Sequence, residues 1–148
     1  MREILFKAKR IDNGEWVEGY YFHEVIIGWD MDRHIITTGK VKVKGSYAES
    51  SELIKYEIDP NTLCQYTGLV DKKRNKIWEN DIVNLCEDFY VITWEKDDAM
   101  FALEDVYFGI SESFKSADSR WCEIIGNTID NPELLDKQIE TKFDWRNI

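Results

Sequence analysis

Glu79 and Asp81 stand two residues apart, so in an extended segment both carboxylates project from one face, placed to share a proton or hold a divalent cation. They are the candidate metal residues of the chain. A carboxylate beside Asn80 at the start of a strand is also an ordinary turn residue that accepts backbone hydrogen bonds, and this structural reading is the stronger. His23 and His34 are the only histidines. Neither falls in an H-x-x-x-H or comparable ligand spacing, so both read as strand-end residues. Cys64, Cys86 and Cys122 lie in apolar strand patterns, where burial raises a thiol's pKa and leaves it inert. Their odd number, with no C-x-x-C pair and no Cys/His tetrad at zinc spacing, predicts buried apolar residues in a reducing cytosol. No nucleophile elbow, P-loop or dinucleotide fingerprint occurs, so the expectation is a protein that is not an enzyme and needs no cofactor.

Two groups of residues have the chemistry of binding surfaces. Lys72, Lys73, Arg74 and Lys76 form a basic tip around Asn75 that would meet phosphates or an acidic protein. A solvated hairpin tip accounts for the same residues and is preferred. Tyr66, Trp78 and Trp94 would offer stacking platforms to a base or peptide, against the blander account that they pack a core. The formal charge of −10 argues against general affinity for nucleic acid and favours basic partners. A protein partner of unknown identity is therefore the leading expectation, and nucleic acid the alternative.

The elements that must position these residues are mostly strands. Ile4, Phe6 and Ala8 alternate with Leu5, Lys7 and Lys9, and Glu15 to Phe22 follows after Asn13-Gly14, the strongest short hairpin signal. Further short strands are predicted at 24–27, 34–38, 41–44 and 53–58. In Lys40-Val-Lys-Val-Lys44 the lysines share one face, as on a protected edge. Gly, Ser, Ala and Glu accumulate over 45–52, and Asp59-Pro60-Asn61 makes a turn. Strands at 63–67, 76–79, 81–86, 89–95 and 99–104 suggest a small closed barrel of SH3-like type. Ser111 to Ser119 reads as loop or a marginal helix turn, and 121–126 as a strand. Asn131-Pro132-Glu133 then opens a helix with one apolar stripe, Leu135, Ile139 and Phe143. Phe143 and Trp145 are the candidate contacts of a homo-oligomer.

The resulting expectation is a mainly β protein, with an N-terminal β-rich region over 1–58 and a small barrel with a C-terminal helix over 59–148. At 148 residues such a chain buries enough surface to fold without staples. No signal-like h-region opens it and no segment reaches the length of a membrane span, so a soluble cytoplasmic location is expected.

Four stretches carry a resemblance. Arg2-Glu-Ile-Leu-Phe-Lys-Ala8, Trp16-Val-Glu-Gly-Tyr20, the run from Asp59 to Val83, and Glu123-Ile-Ile-Gly-Asn-Thr-Ile-Asp-Asn-Pro-Glu-Leu-Leu135 together resemble the YopX family, in matching order over nearly the whole chain. The resemblance implies a mainly β protein of bacteriophages and prophages, hence a host bacterial cell, with no established molecular function. Relatives commonly carry Asn-Gly where this chain has Arg74-Asn75, Glu-Gly-Asp where it has Glu79-Asn80-Asp81, and Gly at Cys64. Asn is the best replacement for Gly at positive φ.

Overall fold

The computed structural model describes residues 1–47 and 50–142. The candidate contacts Phe143 and Trp145 lie outside them. The chain divides into two compact units, Met1–Gln65 and Tyr66–Ile148, and the division falls within a strand, past the Asp59-Pro60 turn.

In the first unit β1 (Phe6–Lys9), β2 (Trp16–Ile26), β3 (Met31–Lys44), β4 (Ser50–Glu57) and the start of β5 (Cys64–Val70) form an antiparallel sheet in the order β4-β3-β2-β1-β5. The Asn13-Gly14 hairpin forms, with Lys9 opposite Trp16. Its turn is wider than the predicted two-residue type I′: only Gly14 has positive φ (71°), and the Arg10 N–H donates to Glu15 O at 2.9 Å across a four-residue loop. Asn13 Oδ1 accepts the Glu15 N–H at 3.0 Å, and Arg10 pairs with Asp12 at 2.5 Å, so side chains of the loop do what two left-handed residues would otherwise do. The segments predicted as separate strands at 15–22 and 24–27 are one strand, because no turn residue interrupts them. Beyond Thr37, β3 pairs with β4 alone, Val41 opposite Leu53 and Lys44 opposite Ser50. The Lys40–Lys44 stretch therefore keeps one free edge, as its lysines suggest.

Ala8, Ile36 and Ile58 are fully buried in this unit, with Phe6, Val17, Tyr21 and Leu63 packed on them. Each large aliphatic chain removed from water stabilises the fold by about 2 kcal/mol. Gly19 permits the close approach of β2 to β3, since a Cβ there would lie 2.2 Å from Thr37 O.

In the second unit the rest of β5 pairs with β6 (Lys76–Trp78), Tyr66 opposite Trp78. The strands β7 (Asp81–Leu85), β8 (Asp88–Glu95), β9 (Met100–Asp105), β10 (Ser111–Ser113) and β11 (Glu123–Asn127) make a second antiparallel sheet, ordered β10-β9-β8-β7-β11. Two short helices complete it, α1 (Ser116–Ser119) and α2 (Glu133–Lys142). Ile77, Val83, Ile92, Leu103 and Cys122 form its core.

This sheet is open, which corrects the expected closed, SH3-like barrel. Strand spacing and tight turns describe a meander equally well, and closure is only one way of protecting edges. Here one edge strand has three residues and the other carries a bulge between Ile124 and Gly126, two devices that blunt an edge without joining it to another. Ser111 to Ser119, which offers little periodicity, supplies both β10 and α1.

Candidate functional site

Gly28 and Asp30, at φ 92° and 49°, reverse the chain between β2 and β3. The register that follows sets Ile26 opposite Met31 and His23 opposite His34. Cross-strand partners share a face, as do residues two apart on one strand. Tyr21, His23, Asp32 and His34 therefore lie side by side on one face of the hairpin. The imidazoles of His23 and His34 stack with centroids 4.5 Å apart and planes within 3°. Tyr21 lies parallel to His34 at 5.9 Å, its hydroxyl 2.7 Å from His34 Nδ1. Nε2 of His23 meets Oδ1 of Asp32. One donor atom from each of His23, Asp32 and His34 lies within 4.8 Å of the others.

Sequence reasoning missed this cluster, because the two histidines stand eleven positions apart and no short ligand pattern spans that gap. The signal was the turn: Gly28-Trp29-Asp30 in the middle of two β-rich runs puts position 23 opposite 34 once the hairpin is recognised.

At the end of the same hairpin the apolar side chains point into water. Ile27 is 95% exposed and Trp29 78% exposed, beside the half-exposed Val25, and the exposed carboxylates of Asp30 and Asp32 flank them.

The residues singled out in the sequence take other places. Asp81 is buried, and its Oδ2 accepts the Trp78 N–H at 2.8 Å, closing the turn in which Asn80 adopts φ 69°. Among the described residues Glu79 and Asp81 belong to no group of three potential metal ligands. Asp71, also buried, organises the basic tip: Oδ1 accepts the N–H groups of Lys73 and Asn75 at 2.9 and 2.8 Å, and Oδ2 accepts that of Ile124 at 3.2 Å. Lys72 Nζ lies 2.9 Å from Glu123, and Lys73 Nζ meets the other oxygen of that carboxylate. The two ammonium groups, Lys73 first, hold the Glu123 carboxyl down at about 2. Lys76 sits over the Tyr66 ring at 5.9 Å, and Arg74 occupies the left-handed corner of the turn at φ 68°.

Tyr66 and Trp78 are buried against each other at 5.5 Å. Trp94 is half-exposed and meets Phe101 edge-on at 5.0 Å. Of the cysteines, Cys64 and Cys122 are buried as expected, and burial pushes the Cys122 thiol up to about 11. Cys86 is exposed. The apolar pattern of β7 ends one residue before it, and at φ 53° Cys86 forms the turn with Glu87.

A family model described as YopX protein matches residues 6–136. No curated protein matches the chain. Among solved structures it is similar to the crystal structure of protein EF1440 from Enterococcus faecalis, with a TM-score of 0.58, 24% identity, and coverage of 91% of this chain and 99% of that one. That likeness concerns the fold.

Proposed function

Given that the chain belongs to the YopX family, we propose that it is a phage or prophage accessory protein that acts without catalysis, by docking a protein partner on the apolar turn between β2 and β3. The exposure of Ile27 and Trp29 at the end of a paired hairpin carries this reading. Leaving two large apolar side chains in water forgoes roughly 2 kcal/mol each that burial would supply, and aromatic anchors of this kind dominate binding energy where they enter a pocket. The exposed carboxylate of Asp30 beside them, on a chain of net charge −10, selects the partner's chemistry: an apolar pocket rimmed by lysine or arginine. On this reading the protein acts in the cytoplasm of the host bacterium.

The alternative, nucleic-acid binding through residues 72–76, is the weaker reading, because Lys72 and Lys73 already face Glu123. Its surface would have to attract phosphates against the field of the whole molecule.

A photo-crosslinking residue at position 29, in cells that express the chain, tests the proposal. The expected result is a discrete adduct with one basic protein, absent when the probe is at Glu112 and lost with Ile27→Ser. An adduct with a second copy of the chain, or none, overturns the basic partner. A salt-sensitive affinity for DNA that falls when Lys72, Lys73 and Arg74 are neutralised would put the alternative in its place.

A further inference from the structure

We propose that His23, Asp32 and His34 form a binding site for a late divalent transition cation of the zinc class, on one face of the β2–β3 hairpin. Two imidazoles and one carboxylate from two paired strands bring their donor atoms within 4.8 Å of one another. This nitrogen-rich set suits zinc, cobalt, nickel or copper and not magnesium or calcium, which take oxygen ligands. Three protein ligands with a fourth position left to water is a common arrangement for zinc.

The hairpin supplies what such a site requires of its scaffold. Both histidines sit within a continuous antiparallel register from Tyr20–Thr37 to Ile26–Met31, and the Ile58 N–H holds the His34 carbonyl from the far side at 2.9 Å. The backbone positions are therefore fixed. Tyr21 Oη lies 2.7 Å from His34 Nδ1, and in the tautomer whose Nδ1–H donates to that oxygen the Nε2 lone pair is left to take the ion. Donation of the second ring N–H to an acceptor is how ligating histidines are generally oriented. Asp32 already meets Nε2 of His23, so the carboxylate and that nitrogen need only turn toward a shared ion.

One adjustment is required. Ligands about 2.0 Å from a tetrahedral ion lie roughly 3.3 Å apart, and parallel stacked rings must rotate until their planes converge. His23 and Asp32 are exposed, so side-chain rotation alone provides the movement. Competing cations are on the other face: Arg33 and Lys55 both pair with Glu24, at 2.7 and 3.1 Å, and Arg33 and Glu24 alternate with the cluster residues along their strands.

Titration of the full chain with zinc, followed by calorimetry and repeated with cobalt for its absorption bands, tests the site. One ion per chain is expected, with magnesium and calcium inert. His23→Gln and Asp32→Asn each weaken zinc binding tenfold or more, and Tyr21→Phe weakens it about tenfold through the loss of His34 orientation. His23 and Asp32 are exposed, so their variants fold even if a change at His34 does not. Because His23 and His34 are the only histidines, zinc must shift both sets of imidazole nitrogen resonances. Absence of saturable binding up to millimolar zinc overturns the proposal. So does full affinity in the His23→Gln, Asp32→Asn double variant, or equal affinity for magnesium.

Discussion

Single residues in this protein are governed by what faces them. Glu123 is the clearest case, a carboxylate between two ammonium groups and held at about 2. Its folded pKa lies below the ordinary 4.5, so its contribution to stability is fully present above about pH 5 and disappears as pH falls toward 2. Glu123→Gln should lower the denaturation midpoint at neutral pH. The gap from the unmodified chain should stay constant down to about pH 5 and close by pH 2, and urea denaturation across that range measures it. A gap that persists at pH 2 would mean that lost packing, not charge, causes the difference. Asp81 illustrates another lesson: it looks reactive in the sequence, yet, like Asp71, it accepts backbone N–H from its own turn.

At the scale of elements, turns and close approaches determine which substitutions matter. Gly19→Ala inserts a methyl group where only 2.2 Å separates it from the Thr37 carbonyl oxygen. Either strand must shift, and a loss of about 3 kcal/mol is expected. A two-state denaturant titration would show it as a lower midpoint with unchanged slope. Arg74 presents the opposite case, a bulky residue at φ 68°, and Arg74→Gly should stabilise the chain by about 1 kcal/mol by relieving the left-handed conformation. No gain in the same titration would mean that the Arg74 side chain makes a compensating contact. Asn80, at φ 69°, needs less relief because Asn tolerates that region.

For the molecule as a whole, charge and exposed apolar surface point the same way. A chain of net charge −10 gains little from a basic tip whose Lys72 and Lys73 already face Glu123, and the Ile27–Trp29 turn is one of its exposed apolar surfaces, with Tyr47, Phe108, Ile110 and Trp121 among the others. Among the described residues no helix is long and apolar enough to cross a membrane.

The family, the predominance of strands and the positions of most turns were legible in the amino-acid order, because alternation, Gly and Asn placement and Pro60 act over a few residues and leave local marks. The first hairpin could be read from Asn13-Gly14, though not the width of its turn, which rests on side-chain hydrogen bonds. Whether the second sheet closes was not legible, since closure depends on how edge strands meet across residues distant in the chain. The exposure of Cys86 depended on a turn one residue earlier than the apolar pattern implied. The pairing of His23 with His34 belongs to tertiary structure alone: register converts a separation of eleven positions into a ring stack of 4.5 Å, a conversion that no short motif records.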